Sequence, residues 1–164
     1  GNTLAEIAGE KAGILKRGGP AVFGKQHPEA LAVMNAQAAE LGVPVTRAEE
    51  FAITDLVMNE RGAHFSGLEC PLPGEHQVDN AVTAAQALQL LGVSPTGIEE
   101  ARWPGRIEHV TPNPDTILDG AHNPAGAQAL AKYLRRFYGT RKRWMIFGAN
   151  FVFIKRKKFL MNKI

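Results

Sequence analysis

The sequence predicts an α/β protein, and three observations carry that prediction. Short apolar runs alternate with stretches of helical periodicity between Pro20 and Val45. Glycine or proline stands at most of the junctions between them. Further on, the apolar run Thr116-Ile117-Leu118 leads through a polar turn into a helix after Pro124. Alternation of this kind argues for a mostly parallel sheet covered by helices.

Taken in order, residues 3–14 read as a helix with Leu4, Ile7, Ala8 and Lys11 on neighbouring positions and Gly13 at its end. Thr3 can cap it, and Glu6 three residues later completes a capping box. Pro20 to Gly24 is a short strand. The next helix starts near Pro28, a residue suited to a first turn, and carries Leu31, Met34, Ala38 and Leu41 on one stripe before Gly42. Val43-Pro44-Val45 reads as the following strand. Phe51 to Met58 and Ala63 to Leu68 read as a hairpin around Asn59-Glu60-Arg61-Gly62. After the loop Pro71 to Gly74, residues 77–91 form a helix with Val78, Val82, Ala85 and Leu88 inward, closed by Gly92. Residues 95–101 add a short helix.

Trp103-Pro104-Gly105 is the natural boundary, giving a first region of residues 1–101 and a second of 102–150. The second holds a strand from Ile107 to Val110, a short buried strand at Thr116–Leu118, a helix from Ala125 to Phe137 and a strand from Trp144 to Phe147. In that helix Ala127, Leu130, Ala131, Leu134 and Phe137 are expected to face inward. The region is too short to close a core of its own and reads as the opening of a larger domain. All 17 glycines and all 10 prolines precede residue 151, so residues 151–164 change character abruptly and are expected to lie outside the fold. A shifted reading frame or a junction with unrelated sequence would explain them.

At 45% hydrophobic and 21% charged residues the chain is globular in type. The tail carries five of the 19 basic residues and no acid, which leaves 14 basic against 16 acidic residues before it, a net charge of −2. A nucleic-acid partner is therefore not expected. No apolar run approaches a membrane span, and no leader of basic and then apolar residues is visible. Cys70 is the single cysteine, which excludes an internal disulfide and suits the reducing cytoplasm, where the protein is expected.

Chemistry concentrates in Asp119-Gly120-Ala121-His122-Asn123-Pro124, thirteen residues after Arg106 in Trp103-Pro104-Gly105-Arg106-Ile107-Glu108. A carboxylate, an imidazole and an amide fall in one strand-to-helix turn, where an open α/β sheet binds its ligands. Together with Gly1-Asn2-Thr3 and Ile7-Ala8-Gly9-Glu10-Lys11-Ala12-Gly13-Ile14, the pattern resembles folylpolyglutamate synthase/dihydrofolate synthase, of the Mur ligase superfamily, over residues 1 to about 149. The resemblance implies a Mur-ligase-like α/β fold: residues 1–101 as the C-terminal half of the central parallel-sheet ATP-binding domain, and residues 102–150 as the truncated start of a Rossmann-like C-terminal domain.

It also implies roles. Lys11 would be carbamylated and its new carboxylate would bind magnesium. A protonated lysine has only donors, so the modification is essential to that role. The simpler alternative is a solvated helix lysine paired with Glu10 or Glu6. Asn80, on the first turn of its helix and off the apolar stripe, would contact ATP, as would Arg106 and Asp119. The alternatives are an exposed polar residue for Asn80 and a salt bridge with Glu108 or Asp115 for Arg106. His122 would place the incoming glutamate or the phosphate, and domain closure would assemble the site. Asn123 is equally well explained as the N-cap before Pro124. His76 reads as structural, and His27, His64 and His109 as surface or packing residues without a partner pattern.

The function so implied is an ATP-dependent amide ligase that joins L-glutamate to folate or dihydropteroate through an acyl phosphate, with ATP and magnesium as cofactors. Its partners would be those small molecules, with no membrane and no second subunit. No G-x-x-G-K-[ST] phosphate loop occurs in the 164 residues, so the chain reads as an internal piece, inactive by itself. The rivals are another Mur-type ligase, acting on a peptidoglycan precursor or a polyamino acid, and a catalytically silent polypeptide.

Overall fold

The computed structural model describes residues 3–148 and the backbone of residues 160–163. The chain divides into two compact units, Gly1–Trp103 and Pro104–Ile164.

The first unit opens with helix α1 (Leu4–Ala12). The expected capping box is present: the Glu6 amide donates to Thr3 Oγ1 at 3.2 Å and the Thr3 amide to Glu6 Oε2 at 3.4 Å. The inner face differs from the expected stripe. Ala8 and Ala12 are buried, whereas Leu4 and Ile7 remain 45% and 41% exposed. α1 packs along α2 (Pro28–Leu41), and alanines allow two helices to approach closely where longer chains would hold them apart.

Strand β1 (Ala21–Phe23), α2 and strand β2 (Val45–Arg47) form a strand–helix–strand crossover, with Ala21 opposite Val45 and Phe23 opposite Arg47 in parallel register. Pro28 opens α2, and Gly42 ends it at φ 62°, a left-handed position. The Val43 amide reaches back to the Ala38 carbonyl at 2.8 Å and the Gly42 amide to that of Ala39 at 3.2 Å, the paired bonds of a Schellman end. The predicted stripe packs as expected: Ala38 is buried beside Phe23 and Val43, with Leu31, Met34 and Leu41 against them.

The expected hairpin is a three-stranded antiparallel sheet, β3 (Val57–Asn59), β4 (Gly62–Phe65) and β5 (Leu68–Cys70). The first turn is closed by Asn59 Oδ1, which accepts the amides of Arg61 (2.7 Å) and Gly62 (3.0 Å). Gly62 is required there because a Cβ would sit 2.3 Å from the Cys70 carbonyl oxygen. Ser66 and Gly67, at φ 48° and 74°, make a second two-residue turn that splits the predicted 63–68 strand in two.

Helix α3 (Glu75–Leu90) starts two residues before the predicted position and buries Gln77, Val78, Ala81, Val82 and Ala85. Phe65, wholly buried, packs with Val78, Ala81, Val82, Ala85, Cys70 and Ile98 in the main core. Ile98 comes from the expected short helix, which spans Pro95–Glu100 and is of the 3-10 type.

In the second unit β6 (Glu108–Pro112) and β7 (Asp115–Leu118) form an antiparallel hairpin, followed by α4 (Pro124–Tyr138) and β8 (Trp144–Phe147). β8 pairs antiparallel with β9 (Leu160–Lys163). The rest of residues 151–164, on which the expectation of a foreign tail falls, lies outside the described residues. Two further expectations are corrected here. Thr116–Leu118 is not a buried strand: Leu118 is 54% exposed, because Ile117 alternates onto the face that packs against Ile107, Tyr133 and Tyr138 and its two neighbours onto the other. The core of α4 is built from Tyr133 and Tyr138, buried with Ile107, while Leu130, Leu134 and Phe137 pack around them and Ala127 stays exposed. Parallel pairing among the described strands is confined to β1 and β2, the one pair joined by a helical crossover.

Candidate functional site

Lys11 stands in the last turn of α1, exposed. Asn80 is exposed on the first turns of α3, at the border of the buried stripe, and its Nδ2 donates to Oε1 of buried Gln77 at 2.9 Å. This bond orients the Asn80 amide from below. His76 is half-buried at the start of the same helix.

Arg106, Asp119 and His122 are brought together by one set of hydrogen bonds within the second unit. Both oxygens of Asp119 accept backbone amides at 2.9 Å, Oδ2 from Ile107 and Oδ1 from Ala121. The Gly120 amide donates to the Gly105 carbonyl at 2.7 Å, and the Gly105 amide to Glu108 Oε2 at 2.7 Å. The segment carrying Arg106 is thus tied to the turn carrying His122. Glu108 and Asp115 are engaged elsewhere, and among the described residues Arg106 forms no ion pair, which leaves its exposed guanidinium available to an anion. His122 Nδ1 lies 3.0 Å from the Gly120 carbonyl oxygen. A carbonyl only accepts, so Nδ1 is the donor in this bond and Nε2 is left for another partner. Asn123 is the N-cap of α4: its Oδ1 accepts the Gly126 amide at 2.8 Å, with Pro124 in the first turn.

The three histidines without a sequence pattern all have partners. His27 Nδ1 accepts the Glu29 amide at 3.3 Å and caps α2; its place before Pro28 was the available signal. His64 pairs with Glu69 across β4 and β5 at 2.8 Å. His109 enters a partly buried network: its Nδ1 donates to Asp115 Oδ1 (3.2 Å), its Nε2 bonds the Tyr133 hydroxyl (2.9 Å), and the Tyr138 hydroxyl donates to Asp115 Oδ2 (2.8 Å). No local pattern announces it, since residues 109, 115, 133 and 138 meet only after the hairpin and helix pack.

Burial, and then the hydrogen bond to Asp115 and its negative charge, push the Tyr138 hydroxyl above its ordinary 10.0. A raised folded-state value means that the associated stability is complete below pH 10.0 and is lost as pH rises through the raised value. Thermal melts of the second unit should therefore show an alkaline loss that Tyr138→Phe reduces, with a cost of about 1 kcal/mol at neutral pH for the missing hydrogen bond. An unchanged alkaline profile in Tyr138→Phe would contradict this assignment.

Among the described residues no three His, Cys, Asp or Glu side chains gather as a metal site, and no helix is long and apolar enough to cross a membrane.

Comparison with known proteins meets this geometry from the other side. Residues 105–164 match the Mur ligase glutamate ligase domain. The chain is 33% identical to the dihydrofolate synthase/folylpolyglutamate synthase of Bacillus subtilis, over 91% of this chain and 39% of that protein. It is 36% identical to the protein of the same name from Mycobacterium tuberculosis, over 86% of this chain and 34% of that one. Among solved structures, the Mycobacterium tuberculosis folylpolyglutamate synthase complexed with ADP superposes with a TM-score of 0.74 at 35% identity, covering 82% of this chain and 35% of that one. A folylpolyglutamate synthase–AMPPCP–folate complex gives 0.75 at 32% identity, over 83% and 38%. The chain thus spans between 34% and 39% of the length of these curated relatives. With its α/β fold, its clasped Arg106 loop and its Asp119–Asn123 turn, the chain belongs to the folylpolyglutamate synthase/dihydrofolate synthase family of the Mur ligases.

Proposed function

We propose that these residues serve an ATP-dependent ligase that joins L-glutamate to a folate or dihydropteroate carboxylate. The observation that carries the reading is that exposed Arg106 stands on a backbone segment tied to the His122 turn by the two amide bonds of Asp119. Relatives of the same family with bound ADP, or with AMPPCP and folate, support it. In the reaction a substrate carboxylate oxygen attacks the γ-phosphorus of ATP, ADP leaves and an acyl phosphate forms. The glutamate nitrogen then attacks the acyl carbon, phosphate leaves, and the nitrogen gives up a proton as the amide forms.

Arg106 offers donors to the nucleotide phosphates. Asp119 is a second nucleotide contact in the same unit, since an ionised carboxylate has about four acceptor positions and two amide bonds leave it capacity for another donor; Asn80 is the nucleotide contact assigned to the first unit. His122, through Nε2, orients the glutamate amine. Lys11, exposed in the last turn of α1, would hold magnesium once carbamylated, because only the carbamate gives lysine oxygen donors. When bound, the ion would offset charge on the phosphates.

The reading is tested in a complete synthase carrying these residues, since the present sequence holds no phosphate loop. Arg106→Ala should raise the KM for ATP by about 10- to 100-fold, the range for losing a charge-assisted hydrogen bond, and leave the KM for glutamate nearly unchanged. An unaltered KM for ATP would overturn it.

A further inference from the structure

We propose that Ile107 is a positioning residue for Arg106, acting through a left-handed backbone turn locked between the core of the second unit and the Asp119 carboxylate. The inference rests on the proposed role of Arg106 only for what Arg106 holds, not for how it is held.

Ile107 has φ 49°, in the region that L residues avoid and β-branched ones avoid most. Such a conformation persists only where the surroundings over-determine it. Two anchors do so here. The side chain is 1% exposed and packs with Tyr133 and Tyr138, so relaxing the backbone to an extended form would pull it out of the core. The amide donates to Asp119 Oδ2 at 2.9 Å, so relaxation would also break that bond. A glycine or asparagine would adopt the turn with less strain, but neither would supply the apolar anchor.

The consequence falls on the residue between the anchors. On one side of Arg106 the Gly105 carbonyl accepts the Gly120 amide at 2.7 Å; on the other the Ile107 amide is held by Asp119. A Cβ on residue 120 would stand 3.3 Å from the Gly105 oxygen, so the two strands of the clasp meet with little room to spare. The backbone of Arg106 is therefore fixed at both ends while its guanidinium remains exposed. Preorganised donors of this kind need no reordering when an anion arrives. If Ile107 merely filled the core, its truncation would loosen the whole unit evenly rather than this loop first.

The experiment uses the full 164-residue chain, ¹⁵N-labelled, as wild type, Ile107→Ala, Ile107→Val and Asp119→Asn. In the wild type the Arg106 amide should have the order parameter of rigid backbone, about 0.85, and in Ile107→Ala it should fall below about 0.6. The Ile107 and Ala121 amides should then exchange about tenfold faster relative to those of α4, and Ile107→Val should restore both measures to within about threefold. Asp119→Asn keeps one acceptor oxygen and should release one of the two amides. An Arg106 amide that stays rigid in Ile107→Ala, or that loosens only in step with α4, overturns the proposal. If Ile107→Ala does not fold, a rigid Arg106 amide and unchanged exchange in Asp119→Asn overturn it instead. Titration of the wild type with ATP addresses the nucleotide reading separately: absence of shifts at residues 105–107 counts against that reading, while the amide measurements decide the clasp.

Discussion

Lys11→Ala in a complete synthase should lower turnover by about 100-fold or more, the scale of losing one preorganised electrostatic group. The fold should scarcely respond. Lys11 is exposed, alanine is the better helix former, and the change should stay within about 0.5 kcal/mol. The only opposing effect is loss of a positive charge in the last turn of α1, a small term at an exposed site. Lys11→Arg should fail as badly, because a guanidinium keeps its charge and does not form the carbamate. Acetate should restore part of the activity of Lys11→Ala by filling the vacated oxygen position. Normal turnover of Lys11→Ala at saturating magnesium would remove the metal-ligand role.

The largest effect on stability is expected at Phe65. Its side chain is 0% exposed and meets Val78, Val82, Ala85 and Ile98, which come from α3 and the 3-10 turn. Phe65→Ala should destabilise the first unit by about 3–5 kcal/mol, through lost burial and a cavity that α3 and the sheet close only in part. Denaturant titration followed through the amides of α3 would measure it, with Phe65→Leu expected to cost much less. A loss below about 1 kcal/mol for Phe65→Ala would show that this core collapses freely around the gap, contrary to close packing.

Much of the local structure was legible from the chain. Thr3 and Glu6 announced the start of α1, Pro28 and Gly42 the limits of α2, and the spacing of Val78, Val82 and Ala85 the buried face of α3. The candidate residues Lys11, Asn80, Arg106 and His122 all fall on exposed positions, and the run from Asp119 to Asn123 does form the turn before α4. Less legible was which groups would be consumed by the fold. Asp119 reads as a free carboxylate in sequence, yet both of its oxygens are bonded to amides that lie twelve residues upstream and two downstream.

What the sequence determined by itself was the α/β class, the caps, the buried faces of α2 and α3 and the place of the chemistry. Each depends on neighbours within about four residues, through capping hydrogen bonds, helical periodicity and the conformational limits of glycine and proline. Tertiary structure alone decided the rest. It chose alanines over Leu4 and Ile7 for the inner face of α1, because α2 lies against it. It made an antiparallel hairpin of β6 and β7 and buried Tyr133 and Tyr138, whose hydroxyls become tolerable inside only once His109 and Asp115 arrive to bond them. It also drove Ile107 into a left-handed turn that no propensity favours, because an apolar core on one side and a carboxylate on the other outweigh a local preference.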